Sequence, residues 1–166
     1  IVGGVGSGKS SFLNVIVGEL EPIGKANVQC SQGVALSAQV PVIMDGTLRD
    51  NVLFFQPYDE DRYAGVVSAC SLRTDIDVLP GGDKVPIGSR GLMLSGGQCA
   101  RVSMARTAYN QSATTVLIDD PFSSVDGRTA THLMENYLLG PFMRGRTRIV
   151  VCQPDTGRIL KFDKVE

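Results

Sequence analysis

Within its first ten residues the chain carries Gly3-Gly4-Val5-Gly6-Ser7-Gly8-Lys9-Ser10, which fits the pattern G-x-x-x-x-G-K-[ST]. Glycines at these positions let the backbone curl until several N–H groups point at one anion. Ahead of the loop, Ile1-Val2 reads as the last part of a strand. Behind it, Phe12, Leu13, Ile16 and Val17 recur at the spacing of one buried helix face, predicting a helix from about Lys9 to Glu19. Strand, glycine loop and helix in that order aim the positive end of the helix dipole at the same anion. A polyphosphate nucleotide is the ligand that needs so many donors so close together. Gly3, Gly4, Val5, Gly6, Ser7 and Gly8 supply the cradle, with Ser11 following. Lys9 reaches the β- and γ-phosphates as a point charge, and the Ser10 hydroxyl is placed to ligate Mg²⁺.

The remaining pattern extends this start into an α/β fold. Ala26–Ser37 reads as two short strands joined by a turn at Ser31–Gly33, and Thr47–Phe54 and Asp59–Cys70 as short helices. Asp75–Leu94 reads mostly as loop. Ser95–Tyr109 is predicted as a helix with Ser95 as its N-cap. Thr115–Ile118 reads as a buried strand ending in Asp119-Asp120, Arg128–Leu139 as a helix, Arg148–Cys152 as a further strand, and Asp163–Glu166 as the opening of another. Strands alternating with helices predict a largely parallel sheet. With 166 residues, 43% hydrophobic and 20% charged, the chain suits one ordinary globular domain. A net charge of −1 gives no general electrostatic reason to bind nucleic acid, so none is expected as a partner. Arg144, Arg146 and Arg148 form a basic run read as a solvated loop. Cys30, Cys70, Cys99 and Cys152 form no C-x-x-C pair and read as free thiols. No apolar run approaches the length needed to span a bilayer. A start at Ile1 inside a strand gives the expectation that the sequence opens within a domain.

The phosphate loop alone does not separate ATPases from GTPases or kinases, although no N-K-x-D segment for reading guanine is found. A second glycine device narrows the choice: Leu94-Ser95-Gly96-Gly97-Gln98, again at a helix start. The first loop already surrounds its phosphate, so the second cradle fits a ligand held by another copy of the domain. Here the chain resembles the ABC family, whose signature reads L-S-G-G-Q, and the likeness runs on into Arg101, Ser103, Ala105 and Arg106. The resemblance implies a P-loop NTPase core with a mostly parallel sheet, an inserted helical signature subdomain at approximately 45–110, and a truncated N-terminal antiparallel part. It implies ATP and Mg²⁺ as ligands, with Ser95, Gly96, Gly97 and Gln98 binding nucleotide across a two-domain interface. Gln39 falls at the Q-loop glutamine, which attends Mg²⁺ and the attacking water. Val116-Leu117-Ile118-Asp119 looks like Walker B, delivering Asp119 to the metal, and Ser123-Ser124-Val125-Asp126 looks like the D-loop. Ser10, Gln39 and Asp119 are therefore the expected metal set.

Asp45–Phe54, Leu79-Pro80-Gly81-Gly82-Asp83, Ile87-Gly88 and Asp119-Asp120-Pro121-Phe122-Ser123 resemble the C subfamily, which holds the multidrug-resistance-associated exporters, and most of all the first of its two nucleotide-binding domains. The implied partners are a second nucleotide-binding domain and the transmembrane domains of a multi-pass membrane protein, with this domain on the cytosolic face. Two positions depart from the family's pattern. Asp120 stands where a catalytic Glu is usual, pulling the carboxylate back by one methylene, and Gln153 stands where a histidine is usual. Both weaken water attack on the γ-phosphate and spare the groups that hold ATP. Asp120, Gln39 and Gln153 are thus the expected catalytic set of a degenerate site. The competing expectation is a regulatory nucleotide-binding module with little turnover. A soluble ABC ATPase of repair is disfavoured by the absence of a long coiled-coil insertion, and the C-type segment after Gln39 argues against both repair and translation classes.

Overall fold

The computed structural model describes residues 1–21, 23–24, 28, 33–89 and 91–154. Apart from Val28, the first of the two strands expected within Ala26–Ser37 lies outside the described residues, as do most of its turn and the strand expected at Asp163–Glu166. In chain order the elements are α1 (Lys9–Val17), β1 (Val34–Ser37), β2 (Gly46–Thr47), α2 (Leu48–Leu53), α3 (Glu60–Ala69), α4 (Arg73–Val78), β3 (Pro86–Ile87), α5 (Gly96–Tyr109), β4 (Thr115–Asp119), α6 (Gly127–His132) and β5 (Thr147–Val151).

A parallel sheet in the order β1-β4-β5 organises the molecule, with Ala35 opposite Val116 on one side of β4 and Val116 opposite Arg148 on the other. Val2 adds a parallel bridge to Cys152 beyond β5. The centre of β4 reads Val116-Leu117-Ile118, all fully buried, because layers cover both faces of the sheet. On one face Leu13 of α1 packs with Leu117 and Val151. On the other, α5 lays Val102, Ala105 and Ala108 into a larger core shared with Val66, Leu133 and Tyr137.

Local chemistry sets the helix limits. Gly18, at φ 83°, ends α1 by donating to Asn14 and Val15 carbonyls, two residues short of the expected Glu19. Ser95 caps α5 as expected, within a capping box closed by Gln98. The far end of α5 is closed by Arg62 of α3, whose guanidinium donates to the Ala108 and Tyr109 carbonyls at 2.6 and 2.9 Å.

Three expectations are corrected. The stretch Asp75–Leu94 is not mostly loop: α4 covers its start, a 3₁₀ turn spans Gly82–Lys84, and β3 pairs antiparallel with β2. The helix α4 has no side-chain N-cap, which removed the usual start signal. The helix predicted over Arg128–Leu139 changes character after His132, becoming a π-helical turn over Leu133–Leu138 that buries Leu133, Met134, Tyr137 and Leu138. The single histidine, His132, bridges to α3 through Ser68 O at 2.8 Å. The basic run is also not a free solvated loop. Arg146 donates to Thr107 O at 3.2 Å and Arg148 to Leu138 O at 2.8 Å, so only Arg144 of the three is exposed. Cys70, Cys99 and Cys152 form no disulfide. Among the described residues no helix is long and apolar enough to cross a membrane.

One fully buried polar residue ties α2 to what surrounds it. Asn51 accepts from Met44 N at 2.9 Å and donates to Met44 O and Thr47 O at 2.9 and 3.0 Å. Asn51→Leu keeps the branched outline, with somewhat more bulk, but orphans these backbone groups. It is expected to cost at least about 2 kcal/mol, read as a lower urea midpoint at unchanged slope. A loss below about 0.5 kcal/mol, the scatter of surface substitutions, would contradict this account.

Candidate functional site

The parallel sheet gathers its loops at one edge. Val2 leads into the glycine loop, β1 ends two residues before Gln39, β4 ends in Asp119, and β5 runs through Cys152 to Gln153. A cavity of about 240 Å³ opens there, at the carboxyl ends of the strands, where parallel sheets characteristically take ligands. Its lining joins Val5, Gly6, Ser7 and Gly8 of the loop to Lys9, Ser10 and Ser11 of α1, and to Gln39, Asp119, Asp120 and Gln153.

The loop has the geometry its glycines predict. Gly6 and Gly8 sit at φ 80° and 88°, a region closed to most side chains. Gly8 precedes α1 without a side-chain cap, and the first turn carries no acid, so the positive end of the helix faces the cavity unopposed by its own residues. Gly3 and Gly4 lie outside the lining and act on Lys9 instead. The Lys9 ammonium donates to their carbonyls at 2.8 and 2.7 Å, with the Ser7 hydroxyl at 3.4 Å. Its charge is thus held over the loop and not out in solvent.

Opposite stand two adjacent carboxylates. Asp119 is 9% exposed at the last residue of β4. Asp120 turns the chain sharply, at φ 48°, a conformation Asp and Asn tolerate better than most. The turn is pinned on both sides: Asp120 N donates to Val151 O at 2.8 Å, and Asp120 O accepts from the Ser123 hydroxyl at 3.0 Å. Since Asp119 pairs with Val151 in register, the residues just past each strand end meet, and Gln153 lines the cavity together with Asp120. Burial, and next the charge of Asp119, push the Asp120 carboxyl above its ordinary value. Gln153, Lys9 and Ser123 pull the other way without cancelling the rise. The donor set Ser10, Gln39 and Asp119 is all oxygen around one buried carboxylate. That suits Mg²⁺, which is usually held by one or two carboxylates together with substrate phosphates.

Ser95, Gly96, Gly97 and Gln98 do not join this cavity. Gln98 Oε1 accepts from Ser95 N at 2.8 Å, and its amide donates to Asp75 at 2.9 Å, while Arg101 reaches the other oxygen of Asp75 at 2.8 Å. Asp75 of α4 therefore anchors the start of α5, a role with no sequence signal because the region reads as loop. A Cβ on Gly97 would lie 2.7 Å from Ser124 O, so the Ser123–Asp126 segment rests directly on this glycine. Two separate glycine-built surfaces result, joined by the body of one subunit.

Comparison with known proteins supplies the kinship. Residues 1–123 match the family described as "ABC transporter". Among curated relatives, "Multidrug resistance protein mrp-7" of Caenorhabditis elegans is 45% identical over 153 residues, covering 91% of this chain and 10% of its own length. "ABC transporter C family member 7" of Dictyostelium discoideum is 44% identical over 151 residues, covering 91% of this chain and 11% of its own. "ATP-binding cassette sub-family C member 2" of Homo sapiens is 41% identical over 153 residues, covering 91% and 10%. The chain thus spans about a tenth of the length of the curated relatives it matches.

The Asp120 environment gives a pH signature. Its folded carboxyl holds a proton to higher pH than the unfolded chain does. Stability from this group is therefore greatest in acid and falls as pH rises from the ordinary carboxyl range through the raised value. Asp120→Asn is expected to raise the urea midpoint at neutral pH, with the gain shrinking below the ordinary carboxyl range. Any benefit of Asn in the left-handed turn is independent of pH and drops out of the comparison. A gain equal at both pH values would show that Asp120 carries no burdened charge.

Proposed function

The chain belongs to the ABC transporter family, in its C subfamily, and from that premise we propose that it binds Mg-ATP at the Lys9 cavity as the first of two nucleotide-binding domains. In this reading it works on the cytosolic face of a multi-pass membrane transporter, where ATP binding and hydrolysis drive transmembrane export. The supporting observation is the gathering of Lys9, Ser10, Gln39, Asp119, Asp120 and Gln153 around one cavity at a glycine loop. Loop N–H groups and the α1 dipole bind the phosphates, and Lys9 adds a charge at the β- and γ-positions. Mg²⁺ on Ser10, Gln39 and Asp119 neutralises phosphate charge when bound. Residues 45–110, approximately, form the helical subdomain. Its Ser95–Gln98 turn completes the site of the second nucleotide-binding domain, and the transmembrane domains are the other partners.

Turnover at this chain's own site is proposed to be slow. Asp120 is one methylene shorter than Glu, and a misplacement of about 1 Å at a reacting group costs on the order of 100-fold in rate. Gln153 lines the cavity with Asp120, and its amide can hydrogen-bond but carries no positive charge toward the γ-phosphate. An uncharged side chain at that place is also the observation favouring a second reading, a regulatory module that binds nucleotide, gates its partner and barely turns over.

Single-turnover hydrolysis in the full-length transporter separates these outcomes. Lys9→Ala is expected to abolish Mg-dependent ATP binding at this site. Asp120→Glu is expected to raise the cleavage rate at this site by roughly 10- to 100-fold. Asp120→Asn should change an already slow rate little. Fast cleavage that survives Asp120→Asn refutes the slow-site proposal, and a rate unmoved by Asp120→Glu favours the regulatory module.

A further inference from the structure

Gln39 sits on a segment that the core scarcely touches. Ala38, Gln39, Val40 and Val42 are all exposed, with Val40 at 79% and Val42 at 68%. Yet Gln39 lines the cavity beside Lys9 and Asp119, so something other than its own burial must set its position. Both ends of the segment are fastened, the first by the pairing of Ser37 with Ile118 of β4 and the second by Asn51 of α2, and a side chain of α5 reaches each fastening.

The first fastening precedes Gln39. Ser37, the last residue of β1, meets Ser103 of α5 hydroxyl to hydroxyl at 3.1 Å, and each residue is only 4% exposed. The second follows Gln39. Arg106 donates through Nε to Asn51 O at 3.0 Å and through a terminal nitrogen to Asn51 Oδ1 at 3.2 Å. Asn51 in turn brackets Met44, accepting from its N–H and donating to its carbonyl, both at 2.9 Å. Ser103 and Arg106 are one helical turn apart and so share a face of α5. The same helix begins at Ser95–Gln98, about 12 Å from Ser103 at a rise of 1.5 Å per residue.

We infer that Ser103 and Arg106 are positioning residues: they clamp the two ends of the Gln39 segment onto α5, so that the helix opening with Ser95–Gln98 sets where Gln39 stands over the Lys9 cavity. The inference rests on the Mg-ATP reading above and goes beyond it by naming the mechanical link between the two glycine-built surfaces. A helix with one rigid body and hydrogen bonds at both ends of a loop leaves that loop little freedom to move independently of it. Motion of the first turn of α5 against a nucleotide on another domain is then transmitted to Gln39 along the helix, whose Val102, Ala105 and Ala108 carry part of the core with them.

The test uses the full-length transporter in membranes and compares its affinity at this site for ATP with Mg²⁺ and for ATP in a chelator. Gln39→Ala and Ser103→Ala are each expected to weaken Mg-ATP by about 10-fold, the usual scale for groups supporting a metal ligand, and to leave Mg-free ATP unchanged. Combining them should add no further loss, because Ser103 acts through Gln39. The pair Ser37→Ala with Ser103→Ala removes both buried hydroxyls together, so it tests the clamp with no orphaned group in the core. Mg-free affinity also reports folding: if Ser103→Ala loses it, the paired variant carries the test. Equal losses with and without Mg²⁺ in the paired variant, or full additivity with Gln39→Ala, overturn the clamp. Retained ATP binding in Lys9→Ala overturns the nucleotide reading and the clamp with it. Loss of binding in Lys9→Ala, alongside an unaffected paired variant, overturns the clamp alone.

Discussion

The parallel register of β4 between β1 and β5 is the constraint on which the cavity depends. Parallel strands end on the same side, so the residues just beyond them converge there whatever their distance in sequence. Asp119 and Val151 are paired, and this alone brings Asp120 to Gln153. Ser37 pairs with Ile118, which leaves Gln39 beyond the same edge from the other side. The register is held by burial: Val116, Leu117 and Ile118 are each fully covered, and a slip of one residue would move every one of these side chains to the opposite face. The core of this chain therefore serves less as a store of stability than as a jig for four loop ends.

Charge at that edge is a compromise and not an optimum. Two adjacent carboxylates, one of them strained into a left-handed turn, face a single lysine held by loop carbonyls. Proteins keep such arrangements where they serve a ligand, because isolated from one they cost stability. The raised Asp120 carboxyl follows first from burial and then from the neighbouring charge of Asp119, which Gln153, Lys9 and Ser123 offset only in part. On the proposed reading a magnesium nucleotide brings both the cation and the phosphates that this constellation is shaped around.

Much of this was legible in the sequence, and the parts that were share a property: they are local. The loop from Gly3 to Ser10, the Ser95 cap with Gln98 three residues on, and the apolar run of β4 each announce themselves within a few residues, since backbone conformation or burial demands those residue types in place. Asp119, Asp120, Gln39 and Gln153 were named from family likeness, and they line one cavity. The failures are non-local. Nothing near Arg146 or Arg148 says that their guanidinium groups find carbonyls of Thr107 and Leu138, so they read as a solvated run. The helix α4 lacks a capping side chain, and its Asp75 matters only because Gln98 and Arg101 come to it. The π-helical turn after His132 depends on packing that periodicity averages away. The Ser37–Ser103 contact joins residues from two elements that no pattern couples.

The separation of the two glycine surfaces follows from the same geometry. A phosphate cradle made from N–H groups on one side cannot be closed from within the same domain when the second cradle stands at the start of α5, outside the cavity. Moving Ser95 toward Lys9 would break the Asp75 anchor at Gln98 and Arg101 and lift Gly97 from Ser124. On the proposed reading a second body brings its own cradle to each nucleotide, and the clamp inferred above ties the separated surfaces together. In this chain the tie is α5, capped at one end by the glycine turn and bonded along its length to both flanks of the Gln39 segment. On the proposed reading, a site divided in this way can hold its nucleotide with one half and wait for the other, which suits a domain proposed to turn over slowly at Asp120.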